Sequence, residues 1–434
     1  MLTLFRTILL LLVILLPSPL WAQFWNDYES PPHYYKTENF RDPMTLFLRD
    51  LKTSDPKGIN QLSGKPLVAA LLDEFNIPLS SQILVFTKTS LQRKAVHSNN
   101  PRALYFSEDV YLGWMPNGRV EVASMDPALG PVFFLQRGLN LNAGPILSER
   151  RSCLGCHAGS ATNFLPGLLG QSVYADSSGT PLGIVKSFER IGHHIDYQDR
   201  WGGWFVSGQG QQQFGHLGNS ISSRANGKIT LDLKTRGLKD TDLNTFFPPN
   251  SHLTEGSDVL AMLVHDHQIS AHYYINMAGY KVRQALHDSS LPLDSGRGSF
   301  TLMKKSSLVE ASSAIDQLLD YFLFTKEPTL PAPVTGHGHF RKDFLKNQRT
   351  NSQGHSFKDL DLQNRLLKTR MSWMIYSRSF LGMPLAAREE FYHRLKLELA
   401  GKTQDYPHLP EDEKNRIFQI LTETQTNLPS FWSP

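Results

Sequence analysis

Cysteine is almost absent from this 434-residue chain, which has only Cys153 and Cys156. Two cysteines exclude a disulfide framework, and a bridge between neighbours three apart would close too small a ring to stabilise a domain of this size. With no second cysteine pair, a structural zinc site with four ligands is poorly supported. A thioredoxin-like pair would have to open a helix inside a βαβ unit, whereas residues 140–145 before the motif read as loop. After the first two dozen residues no apolar run is long enough to span a bilayer. Charge of one sign is also lacking: 44 Lys and Arg against 40 Asp and Glu leave a net +4. The basic residues are dispersed, which argues against a nucleic-acid partner. No phosphate loop, hydrolase triad spacing, zinc-protease motif or internal repeat is present. At 40% hydrophobic and 19% charged, the remainder has ordinary globular composition.

The two cysteines stand at Cys153-Leu154-Gly155-Cys156-His157, the CxxCH pattern of covalent c-type haem attachment. Each part has a mechanical reason. Two thiols add across the two vinyl groups on one edge of a macrocycle, and the adjoining imidazole then falls beneath the iron. Cys153 and Cys156 are the expected tethers and His157 the expected metal ligand of one covalently attached haem c. An electron-transfer cytochrome needs only about 100 residues, so most of this chain is left for other work.

Residues 1–22 carry Arg6, an apolar run over 8–16 and Ala22 before a polar residue, which reads as a secretory signal peptide cleaved after Ala22. Export and CxxCH support each other, because bacterial c-type haem is attached beyond the cytoplasmic membrane. The expected location is the periplasm, with a redox donor and acceptor in the envelope and no transmembrane span after cleavage.

The expected fold class is α+β, unlike an isolated small all-α cytochrome. Residues 23–250 read as a β-rich region carrying the haem motif, and 251–434 as a mainly helical region packed on it. Strands are expected near 83–88, 103–106, 110–115, 119–123 and 131–136, with hairpin turns at Asn117-Gly118 and Asn226-Gly227. The segment 23–55 reads as an aromatic arm, and 67–75 as a short helix. Further helices are expected over 257–287, capped by Ser257-Asp258, then 307–324, 359–380, 384–400 and 410–424, with a long loop over 325–356.

The far side of the iron decides the chemistry. The first methionine after His157 is Met262, which disfavours the usual His/Met arrangement. His194 and then His216 are the expected sixth ligands, unless the position is open. His265, His267 and His272 lie on the long helix and could ring a pocket or, with Asp266, form a second metal site, although an amphipathic surface and a satisfied core histidine account for them better. Gly336-His337-Gly338-His339 has metal-binding spacing but stands alone. Arg200-Trp201-Gly202-Gly203-Trp204 could pair a cation with a haem propionate and relay an electron through an indole, or simply fill a core around a tight turn.

The stretch 100–106, the CxxCH motif, Arg200 to Gly208, His216 to Asn219, Asp266-His267-Gln268 with His272, and Met374 to Ser377 together resemble an exported bacterial family usually labelled cytochrome c domain-containing, over nearly all of the mature chain. The resemblance implies haem binding at Cys153, Cys156 and His157 and no particular reaction. Where that family has His-Gly after its Trp-Gly-Gly-Trp, this chain has Gln209-Gly210. Three functions follow as expectations: single-electron transfer by an exported monohaem cytochrome, a peroxidase-like haem oxidoreductase with a substrate pocket over the iron, or a haem-bearing sensor or binding module.

Overall fold

A computed structural model of the chain describes residues 27–35, 39–136, 138–139, 150–186, 191–232 and 240–432. The segment 1–22, expected as a leader, and residues 140–145, expected as a loop, lie outside the described residues. Ten strands are described: β1 (Ile83–Val85), β2 (Arg102–Phe106), β3 (Val110–Trp114), β4 (Val120–Asp126), β5 (Gly130–Gln136), β6 (Val173–Ala175), β7 (Pro181–Ile184), β8 (Trp204–Phe205), β9 (Ile221–Ala225) and β10 (Lys228–Asp232). The described helices are α1 (Pro43–Leu51), α2 (Gly64–Glu74), α3 (Arg150–His157), α4 (Val259–Asp288), α5 (Lys305–Phe322), α6 (His339–Leu345), α7 (Arg378–Leu381), α8 (Leu385–Leu399) and α9 (Glu411–Thr424). Strands fill the first half and long helices the second, so the chain is α+β.

The main sheet is antiparallel with strand order β5-β4-β3-β2-β1-β8. Its meander is set by turn chemistry: Asn117 adopts φ 60° between β3 and β4, and Asn226-Gly227 adopts φ 51° and 77° in the β9–β10 hairpin. Alternation along β4 then separates two faces. Ser124 points to one face, where its hydroxyl accepts the Met44 N–H at the start of α1. Glu121 and Ala123 point to the other, where the cysteine motif lies.

Helix α4 is buried on nearly every side, as expected of a helix with apolar residues all round. Asp258 caps it by accepting the Leu260 N–H at 2.9 Å. It crosses the turns at one end of the sheet. Gln268 donates to Ser107 O, His272 Nε2 bonds Glu108 O, and Tyr280 donates to Leu129 O. Helix α5 packs along it, and the apolar core runs continuously from Tyr28 to Trp432. Among the described residues no helix is long and apolar enough to cross a membrane.

Four expected elements differ. The long helix over 359–380 is replaced by turns, followed by a 3-10 turn at Trp373–Tyr376 and the short α7. The Asp361 carboxylate accepts the N–H groups of Gln363 and Asn364, and Leu362 sits at φ 60°, so a side chain captures the donors a helix would need. The loop over 325–356 contains α6, whose Phe340 and Phe344 are buried. Within the aromatic segment, α1 forms behind an Asp42 cap and buries Met44, Leu48 and Leu51. The cysteine motif itself lies in α3 rather than in loop or strand.

Candidate haem site

Helix α3 packs on β5, with the His157 ring 4.4 Å from the Phe133 ring. Cys153, Cys156 and His157 all line one cavity of about 630 Å³, within the range of ligand sites. Cys153 is half-buried and Cys156 exposed, and no disulfide joins them. The walls are chiefly apolar: Leu104, Tyr111, Ala123, Phe133 and Leu135 from the sheet face, Leu168 and Leu169 from the following loop, Trp204 from β8 and Ile269 from α4. Between Leu104 and Glu121 stands Gly113, where a Cβ would come 3.0 Å from Leu104 Cδ2. The smallest side chains, Gly113 and Ala123, thus occupy the middle of the sheet wall.

The chemistry of the donor set fits a c-type haem. His157 Nδ1 lies 3.0 Å from Gly167 O, which makes Nδ1 the protonated nitrogen and Nε2 the one with a lone pair for a metal. Burial pushes the His157 imidazole below its ordinary pKa, against the opposing Gly167 hydrogen bond, so the ring is neutral as a ligand must be. Arg102 and Glu121 form an ion pair at 2.6 Å in the same wall. Burial would raise Glu121, but Arg102 and the hydrogen bonds from Ser90 and Gln92 outweigh it and hold the carboxyl below its usual range. Lys88 and the exposed Arg93 lie at the cavity edge, suited to anionic carboxylates.

Both expected sixth ligands lie elsewhere. His194 is not on the cavity wall; its ring packs edge-on to Tyr321 at 5.9 Å. His216 is buried beside Trp201, with Nε2 2.9 Å from Gln211 Oε1. His265 of α4 lines the cavity instead. The spacing of the three helix histidines explains the division: His265 and His272 share the face toward the sheet, whereas His267 points to the opposite side. There His267 Nδ1 meets His193 Nδ1 at 2.8 Å, and its Nε2 meets Ser372 Oγ at 2.7 Å. Among the described residues no group of three His, Cys, Asp or Glu is arranged to hold a metal ion, so the alternative of a second centre at His265, Asp266, His267 and His272 is not assembled. His337 approaches Ser207 Oγ at 3.3 Å.

The Arg200–Trp204 motif divides in the same way. Arg200 is buried, donates to His193 O and Ile195 O, and lies 3.7 Å from Asp266 Oδ2, so it does not reach the cavity. Trp201 donates its indole N–H to Asp266 Oδ2 at 2.9 Å. Only Trp204 lines the cavity, its N–H donated to Gln171 O. Gly203 sits at φ 84° where a Cβ would overlap Thr87 Cγ2. Replacing Gly203 by valine is expected to lower stability by about 3 kcal/mol or more, through steric overlap and a left-handed backbone together; a urea unfolding midpoint equal to that of the native chain would contradict this. The following Gln209-Gly210 supports backbone, with Gln209 bridging to Gly336.

The sheet-wall contributors Gly113, Ala123 and Tyr111, and the Gly167 carbonyl, were not recognisable as site residues from sequence spacing. The period-two pattern of β3 and β4 places Tyr111, Gly113, Glu121 and Ala123 on one face, but only the packing of α3 shows that this face is the one used. Comparison with protein-family models, with curated proteins and with solved structures finds no match to this chain.

Proposed function

We propose that the chain is an exported monohaem c-type cytochrome that passes single electrons in the cell envelope. The observation that carries this reading is the convergence of Cys153, Cys156 and the Gly167-oriented His157 on one apolar cavity of about 630 Å³. When bound, haem supplies a one-electron Fe(III)/Fe(II) change. The chain's own residues hold and orient it. Each cysteine S–H adds across one vinyl C=C, the sulfur to one carbon and the hydrogen to its neighbour, so nothing is lost and no oxidant is consumed. His157 offers Nε2, Lys88 and Arg93 suit the propionates, and the aromatic and aliphatic walls give the macrocycle apolar faces to pack on. The leader over 1–22 supports export, which the attachment chemistry requires.

The test is the intact mass of the mature protein after expression with a c-type maturation system. The expected result is a gain of one whole haem that survives acid–acetone extraction and is abolished by Cys153→Ala with Cys156→Ala. A native polypeptide without that gain would remove the reading. If haem is attached, a ferric protein that reacts rapidly with peroxide would instead favour the oxidoreductase.

A further inference from the structure

We propose that His265 is the second axial ligand of the haem iron. The proposal rests on the haem reading above and names a residue other than His194 and His216, neither of which lines the cavity. Three observations converge on it.

First, His265 lines the same cavity as His157 but comes from a different element, the rigid helix α4. The residue is only 4% exposed and its ring is wedged among Phe106, Trp204 and Tyr111, at centroid distances of 5.3, 5.9 and 6.0 Å. A side chain held by three aromatic rings has few rotamers to lose on ligation.

Second, His265 Nδ1 is buried without a hydrogen-bond partner, and so is Asp266 Oδ1, 3.9 Å away. Buried polar atoms are nearly always paired, so two orphans facing each other demand an explanation. An Nδ1–H directed toward Asp266 Oδ1 leaves Nε2 as the lone-pair atom. At 3.9 Å the carboxylate is an electrostatic neighbour of the imidazole and makes no hydrogen bond to it. His193, His267 and His272 each have at least one ring nitrogen paired, His193 with His267, His267 also with Ser372, and His272 with Glu108 O, although His193 Nε2 and His272 Nδ1 are unpaired as well.

Third, the sheet register sets the two imidazoles over one row. Phe133 pairs with Ala123, Ala123 with Tyr111, and Tyr111 with Phe106. His157 lies against the Phe133 end and His265 against the Tyr111–Phe106 end. Phe133 and Tyr111 are two strand spacings, about 10 Å, apart. Between them the wall is lowest, at Ala123, with Gly113 in the adjoining row.

Ferric optical and EPR spectra of the native holoprotein, of His265→Ala and of His265→Met test this, with His194→Ala and His216→Ala as controls. The native protein and both controls are expected to be six-coordinate and low-spin. His265→Ala is expected to lose the low-spin signal, with added imidazole restoring it. His265→Met keeps the side-chain volume and is expected to remain low-spin with a raised reduction potential, as thioether replaces imidazole. A low-spin spectrum retained by His265→Ala without imidazole, a high-spin native protein, or an unchanged potential in His265→Met would overturn the assignment while leaving the covalent haem intact. A native mass without haem would instead overturn the reading beneath it.

Discussion

Between pH 7 and pH 4 the protein is expected to unfold cooperatively, and much more steeply than a domain without buried histidines. Burial pushes His267 down to about 3, His252 and His272 down to about 4, and His33 down to about 3 with help from the Arg283 charge. His193 is likewise held well below its ordinary value, first by burial and then by its neighbour His267. In the unfolded chain each would titrate near 6.5. Below that pH the unfolded state binds protons the folded state refuses, so stability falls as pH falls, by about 1.4 kcal/mol per pH unit for each group. Carboxyls raised by burial act in the opposite direction: Asp109 at about 6, Glu327 at about 7, and Asp42. Five against three leaves a net difference of roughly two protons near pH 5, or about 3 kcal/mol per unit. Against a total of about 5–15 kcal/mol, that slope exhausts the stability within a few units. Urea unfolding followed by circular dichroism at pH 7, 6 and 5 checks it; equal stabilities at the three values would show that these imidazoles are accessible to protons in the fold.

Replacing Asp266 by alanine is expected to cost about 3–5 kcal/mol, among the largest effects of any single change outside the haem motif. The carboxylate is fully buried; it accepts the Trp201 indole N–H and is the acid opposite the buried Arg200 guanidinium. Removing it leaves a charge in the core held by the His193 and Ile195 carbonyls and the face of the Tyr197 ring, with the opposing carboxylate gone. The Asp266→Asn variant retains an acceptor for Trp201 but not the charge, and should fall between native and alanine. The thermal unfolding midpoint of the three proteins orders them, and an alanine variant as stable as native would show that Arg200 needs no counter-charge. The same carboxylate faces His265, so a native-like fold in Asp266→Asn also permits a comparison of reduction potentials.

These two predictions draw on parts of the molecule that the sequence disclosed unequally. Asp258 ahead of an uninterrupted apolar pattern marked the start of α4, and Asn117-Gly118 and Asn226-Gly227 marked two hairpins, because each is a local preference of the backbone around a few residues. The segment 359–380 misled because its apolar spacing suits a helix while Asp361 spends its carboxylate on the local N–H groups, a competition that spacing does not register.

Cys153 and Cys156 as candidate tethers and His157 as a candidate ligand could be read directly from the sequence, since the chemistry of attachment needs them adjacent along the chain. What the chain alone determined was therefore the α+β division, most of its elements and this one contiguous constellation. Only the tertiary structure decided what faces it. His265 comes to line the cavity, 108 positions after His157, because α4 crosses the end of a sheet whose register is set by the meander. Likewise Arg200 turns away because Asp266 lies buried behind it. Contacts between residues far apart in sequence depend on how whole elements pack, and no local pattern carries that information.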